Sequence, residues 1–300
     1  MAQRILVTGA NGFIGRHCTR ALADAGWEVV AIGRQARPQP HIARSLQCDL
    51  LDITAAGALV RGAAASHMLH LAWHDGPRDR WTSPSNLDWA AATLSLARAF
   101  VAGGGERMIF AGSCAEYDWG APVLSEATTP LNPASLYGAA KAATGGLLRA
   151  AQAALGISVA EARIFFCYGP GEPKGRLISD LLEGLAQGVP VRCTDGLQKR
   201  DYLHAADVAR ALTLVAGSGI EGAVNIASGK AIAVRDLVQT AARQMGRPDL
   251  PVLGALPRAV DDPAVLVGDV ARLGALGFKP VFDLETGIAD TIARWRQDTQ

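Results

Sequence analysis

The sequence predicts an α/β fold, a doubly wound parallel sheet with a smaller C-terminal α/β domain. Three observations predict it. A branched apolar run ends in glycines within the first fifteen residues, strand-like and helix-like stretches then alternate as far as Arg163, and the character changes after Tyr168.

Residues 4–8 (Arg-Ile-Leu-Val-Thr) form a short branched run, as a strand buried on both faces does. Residues 13–25 repeat apolar side chains at helical spacing (Ile14, Cys18, Ala21, Leu22) and stop at Gly26. Residues 28–32 read as a second strand, completing one βαβ unit. Strands follow at 45–48, 67–71, 107–110 and 158–163, with helices at 87–102 and 136–155. That alternation argues for a parallel sheet covered on both faces. Beyond Tyr168-Gly-Pro-Gly-Glu-Pro173 the chain is rich in Gly and Pro, with helices at 177–187, 207–215 and 234–245. The expected division is a dinucleotide-binding domain over residues 1–168, rejoined by about 198–228, and a substrate-binding domain over 169–197 and 229–300.

Lys and Arg number 29 against 28 Asp and Glu, dispersed along the chain, which leaves no electrostatic footprint for nucleic acid. The five cysteines form no CxxC pair, so neither a metal knuckle nor a disulfide framework is expected, and a reducing compartment is the simplest setting. No run resembles a leader or a membrane span. The expectation is a cytoplasmic protein without metal.

Gly9-Ala-Asn11-Gly12-Phe13-Ile14-Gly15 lies between the first strand and the first helix. Without a Cβ the chain turns tightly there, and backbone N–H groups can approach a pyrophosphate at the positive end of the helix. The alternative is a glycine turn that merely lets the helix pack. Its place in an N-terminal βαβ unit favours dinucleotide binding, the Rossmann arrangement, although the spacing is G-x-x-G-x-x-G. At the end of the second strand an acid would select NAD, whereas Gly33-Arg34 stands there with Arg37 close behind. That favours NADP(H) over NAD(H), unless these arginines are only solvated charges. Asp49 ends the next strand, where it could meet the adenine amino group or cap the segment after it.

Tyr137-Gly-Ala-Ala-Lys141 places a phenol and an ammonium on one helix face. A phenol titrates near 10 unperturbed, and a nearby cation favours the phenolate, making it a workable acid–base group. Ser113 ends a strand where its hydroxyl would bind the same substrate oxygen.

Together with Arg200-Asp-Tyr-Leu-His204, these motifs resemble the extended short-chain dehydrogenase/reductase family, and within it the NAD-dependent epimerase/dehydratase group acting on nucleotide sugars. The resemblance runs through nearly the whole chain and implies a catalytic triad of Ser113, Tyr137 and Lys141, with Lys141 also holding the nicotinamide ribose. It implies cofactor contacts from Gly9, Asn11, Gly12, Phe13, Ile14, Gly15, Arg34, Asp49, Leu50, Leu71 and Ala72. It also implies pyrophosphate contacts from Arg200 and Arg258, for which the alternative is a domain-interface salt bridge, and a homodimer built on the helices at 87–102 and 136–155.

Departures narrow the reaction. The acid pair that dehydratases carry after the serine is Cys114-Ala115, and Glu116 would point to the other face of an extended segment. Ala115 and Gly171 lack the Cys and His of a 3,5-epimerising enzyme. Phe166 replaces the usual Asn, and Trp73 stands where a small residue is typical, to shape the sugar pocket or simply to pack. What remains is reduction of a nucleotide-linked 4-keto-6-deoxyhexose, favoured by Gly33-Arg34, then a nucleotide-sugar 4-epimerase, then a non-catalytic NADP-binding regulator.

Overall fold

The computed structural model describes residues 3–37, 39–74, 76 and 79–299. The chain begins β1 (Arg4–Thr8), α1 (Phe13–Asp24), β2 (Glu28–Gly33), β3 (Arg44–Gln47), α2 (Ile53–Gly62), β4 (His67–His70), α3 (Ser85–Ala102) and β5 (Arg107–Ser113). After a 3-10 turn at Cys114–Glu116 come β6 (Val123–Leu124), α4 (Leu136–Ala150), α5 (Gln152–Leu155), β7 (Ser158–Ile164), β8 (Phe166–Tyr168) and α6 (Leu177–Gln187). Next are β9 (Val191–Arg192), β10 (Lys199–Arg200), β11 (Tyr202–His204), α7 (Ala205–Ala216) and β12 (Gly222–Ile226). The chain closes with β13 (Ile232–Ala233), α8 (Val234–Gln244), β14 (Pro251–Val252), β15 (Val265–Gly268), α9 (Ala271–Ala275) and α10 (Leu284–Thr299).

Seven strands form one sheet in the order β12-β7-β5-β4-β1-β2-β3, each pairing parallel. Alternate residues supply its two faces, as the two-residue repeat of a strand requires. Ile5, Val7 and Ile109 join Cys18 and Leu22 of α1 and Val208 and Leu212 of α7. Leu6, Met68, Met108 and Phe110 join Val60 of α2, Leu96 and Phe100 of α3, and Leu148 of α4. Strand order reverses between β1 and β4, so their loops diverge and leave a crevice at the carboxyl ends of β1, β4 and β5. A second core packs Leu181 and Leu185 of α6, Leu237 of α8 and Ile288 of α10. Beside it β13, β10, β15 and β6 form a small sheet.

The helix expected at 136–155 is divided at Ala151 into α4 and α5, and it ends at Leu155. The amides of Ile157 and Val159 turn back to the Gln152 carbonyl (3.2 Å) and side chain (2.6 Å), and Gly156 takes φ +63°. Among the described residues, no helix is long and apolar enough to cross a membrane.

Candidate active site

The glycine loop is shaped by contacts that exclude side chains. Gly9 has φ +71°, and a Cβ on it would meet the Ala72 nitrogen at 2.8 Å. A Cβ on Gly15 would overlap the Gly9 carbonyl oxygen, so α1 can start this close to β1 only with glycine there. Gly12 caps α1 without any side-chain hydrogen bond, which leaves the first-turn N–H groups for an anion. Phe13 and Ile14 open that turn. Asn11 donates to the Gln35 carbonyl (2.9 Å), tying the loop to the end of β2. The amides of Leu71 and Ala72 both donate to the Thr8 hydroxyl at 3.1 Å, which brings the end of β4 against the loop. These residues fit a dinucleotide: the cradle is free of side chains where a pyrophosphate would lie.

At the adenosine end the structure divides the candidates. A small hollow is lined by Asn11, Gly33, Gln35, Arg37 and Ser45, and Arg34 is outside that lining. Arg37 donates to the Gln35 side chain (2.8 Å) at this hollow. Asp49 accepts from the Leu51 amide at 3.1 Å, and Leu50 is buried with Val30 and Ile32.

Ser113, Tyr137 and Lys141 come together at the end of β5 and the start of α4. Ser135 caps α4 through the Gly138 amide (3.1 Å). A Cβ on Gly138 would overlap the Ala115 carbonyl oxygen, so this glycine lets the helix start close against the 3-10 turn beside Ser113. Burial pushes the Tyr137 phenol above its ordinary range, while its bond with the Ser113 hydroxyl and the Arg80 charge pull it back. Lys141 is buried, donates to the Ala111 carbonyl (2.7 Å) and sits 3.9 Å from the centre of the Trp73 ring. Desolvation lowers its ammonium to about 7, against the opposing pull of Glu116. Trp73 thus packs beneath the lysine, its indole N–H held by Asn86 (2.8 Å).

Glu116 occupies a 3-10 turn, not the extended segment expected, because Ser113 and Glu116 form a reciprocal capping box. Its carboxylate is fully buried. It accepts from the Ser113 amide at 2.6 Å and pairs with Arg163 at 3.0 Å. The spacing Ser-x-x-Glu was the signal that could have located it. Arg80 and Trp81 carried no such signal. They belong to the loop between β4 and α3, where Arg80 lies over Trp81 (4.7 Å) and Trp81 packs edge-on to Tyr137 (5.5 Å). The Arg80 Nε is buried without a hydrogen-bond partner among the described residues.

Of the motif in the second half, Asp201 and His204 are structural. Asp201 accepts from the amides of Ser228, Gly229 and Gly268 and from the Ser228 hydroxyl. His204 is buried beside Phe282, 4.1 Å between ring centres. Arg200 lines a cavity of about 400 Å³ with Phe166, Leu181, Cys193, Gln198 and Tyr202, and its guanidinium pairs with Asp262. Phe166, standing where Asn is usual, packs under Arg200 at 5.6 Å. Arg258 is exposed and outside the cavity lining. Ser113, Tyr137 and Lys141 do not line it, but Cys114, next to Ser113, packs in one cluster with Phe166 of the lining, so the cavity adjoins the reacting groups.

Comparison with known proteins agrees with this geometry. The family described as NAD dependent epimerase/dehydratase matches residues 5–227. A UDP-glucose 4-epimerase of Azospirillum brasilense is 29% identical, over 99% of this chain and 93% of its own. A dTDP-4-dehydro-6-deoxy-D-allose reductase of Streptomyces bikiniensis is 28% identical, over 97% and 95%. Among solved structures, MoeE5 in complex with UDP-glucuronic acid and NAD superposes with a TM-score of 0.85 at 32% identity, covering 98% of this chain and 99% of that one. A glycine cradle at a bare helix N-terminus, a Ser-Tyr-Lys cluster beside it and a matched profile over most of the chain have one common explanation: this chain belongs to the NAD dependent epimerase/dehydratase family of enzymes.

Proposed function

We propose that the protein inverts the configuration at the fourth carbon of a nucleotide-linked hexose by removing and returning a hydride, with Tyr137 as the acid–base group. The observation that carries this reading is the meeting of Tyr137, at the start of α4, with Ser113 at the end of β5, with Lys141 buried and donating to the Ala111 carbonyl of the same strand. Tyr137 accepts the proton of the sugar hydroxyl while Ser113 bonds the same oxygen. Lys141 stabilises the phenolate through its charge and binds the nicotinamide ribose. The dinucleotide supplies the hydride acceptor, held by Gly9, Gly12, Phe13, Ile14 and Gly15. Cys114 and Ala115 offer no acid to expel a hydroxyl, which argues against dehydration. The nucleotide end of the substrate fits the cavity beneath Arg200, whose guanidinium suits a pyrophosphate.

The sequence on its own favoured a reductase of a 4-keto-6-deoxyhexose through Arg34. The similarity to 4-epimerases brings the epimerase forward. The reductase stays as the second reading because Arg37 lines the hollow, where a guanidinium would meet a 2′-phosphate and favour NADP(H). Exposed Leu87 and Leu147 on α3 and α4 support a homodimer through those helices. The test is to supply UDP-glucose or UDP-glucuronate without reductant and examine the products by NMR. A 4-epimer supports the proposal. NADPH oxidation with a nucleotide-linked 4-keto-6-deoxyhexose, and no epimer, supports the reductase instead.

A further inference from the structure

Behind the catalytic groups runs a line of buried charge that neither the cleft nor the cavity uses. Arg149 of α4 pairs with Glu161 of β7, and Glu161 with Arg163 of the same strand (3.0 Å). Arg163 pairs in turn with Glu116 (3.0 Å). The signs alternate, and Lys141 continues the alternation. The Glu116 carboxylate takes the Ser113 amide at 2.6 Å, and the Lys141 ammonium takes the Ala111 carbonyl at 2.7 Å. Polar backbone groups two residues apart on a strand point to the same edge, so the two side chains meet β5 on one edge. Space for this line is built in by glycine. A Cβ on Gly145 would overlap Glu161, and a Cβ on Gly112 would lie 2.6 Å from the Glu116 carboxylate.

Burying four charges is costly unless each finds its partners. Packing alone would be served as well by apolar side chains, so this arrangement calls for a function. We propose that Glu116 is a positioning residue of the reaction: it fixes the Ser113 backbone and supplies the buried negative charge that balances the Lys141 ammonium, while its partner Arg163 is held in place from the other side by Glu161.

The other groups facing Lys141 cannot take that role. Trp73, Phe110 and Tyr137 present rings, and His70 is buried between the Thr8 and Thr93 hydroxyls. Burial and the lysine charge itself hold that imidazole down at about 3, so it is neutral. Glu116 is the carboxylate that pulls the lysine up against desolvation. Its own burial pushes it up, and Arg163, the Ser113 amide and Lys141 bring it back. Without it the ammonium loses its counter-charge, and the phenolate loses its support as pH rises.

The catalytic part of this inference rests on the proposed hydride chemistry, and its test separates the two. The chain has five lysines, and the other four are exposed. In protein labelled with carbon-13 at lysine Cε, the Lys141 signal is assigned by its loss in Lys141→Met and followed against pH by NMR. Glu116→Gln keeps an acceptor for the Ser113 amide and removes only the charge. The Lys141 titration should move down by about one pH unit in that variant, and the alkaline limb of kcat should move with it while KM stays within twofold. Glu161→Gln, one link further away, should lower Tm but leave the Lys141 titration in place. Equal titrations in wild type and Glu116→Gln would overturn the inference, as would equal shifts in both variants. A shifted NMR titration without turnover on any nucleotide sugar would sink the functional proposal and leave the charge pairing intact.

Discussion

Two buried arginines do different work in this molecule. Arg163 sits between Glu116 and Glu161, with its Nε and one terminal nitrogen each donating to a buried carboxylate. Arg200 donates to the Lys199 and Pro263 carbonyls (2.8 and 2.7 Å), and its one carboxylate partner, Asp262, is 24% exposed. The first arrangement cannot open without leaving buried charges unpaired. In the second, an anion entering the cavity can replace Asp262 at modest cost. On the proposed roles, the charge that orients the chemistry is locked into the core, whereas the charge offered to a ligand waits beside a partner that could be exchanged.

The largest effect should come from the reacting group. Tyr137→Phe keeps the ring against Trp81 and removes the proton donor, so kcat should fall by about 10²- to 10⁴-fold with cofactor affinity retained. Near wild-type turnover would dismiss Tyr137 as the acid–base group. Arg163→Met strands two buried carboxylates and should cost about 3–5 kcal/mol in denaturant unfolding. A loss under 1 kcal/mol would mean that the charge line is slack.

The exchangeable site makes the opposite forecast. Arg200→Met should raise KM for a nucleotide sugar about tenfold or more at similar kcat, because the lost contact is made equally in ground and transition states. Asp262→Ala leaves Arg200 its two carbonyl partners and should cost less stability than Arg163→Met, and should leave KM unchanged or lower. A raised KM in Asp262→Ala would show that Asp262 holds Arg200 in its working position, and the contrast would fail.

A smaller effect is expected from pH. Burial lowers His70 to about 3 and His204 to about 4, below the 6.5 of an unfolded chain. The unfolded state therefore binds more protons, and stability should fall as pH drops from 6.5 towards 4. Tm measured across that range should decline, and a flat profile would show that both imidazoles accept protons in place. Smallest of all is the change at the adenosine end. Arg37→Ala should lower the NADP to NAD affinity ratio by about tenfold in calorimetry if the guanidinium meets the 2′-phosphate. Arg34→Ala should change it less, and the reverse order would return the role to Arg34.

Much of this was legible in the sequence because it is local. Hydrophobic alternation set the strands, glycine spacing placed the cofactor turn, and four residues of helix put Tyr137 and Lys141 on one face. The Glu116 capping box was equally local, although an extended reading of the segment hid it. Other features depended on distant parts of the chain. Glu116, Glu161 and Arg163 become one line only when the 3-10 turn after β5 lies against β7, and Arg149 joins because α4 crosses that strand pair. Arg80 reaches Tyr137 through a loop whose course no periodicity encodes. Asp201 looks like part of a binding motif, yet it binds the amides of Ser228, Gly229 and Gly268 because β10 runs beside β15. The sequence alone determined which side chains lie within a turn of helix or a step of strand of each other. Tertiary structure decided which charges are buried together, because burial strengthens electrostatics and comes from packing elements that are remote along the chain.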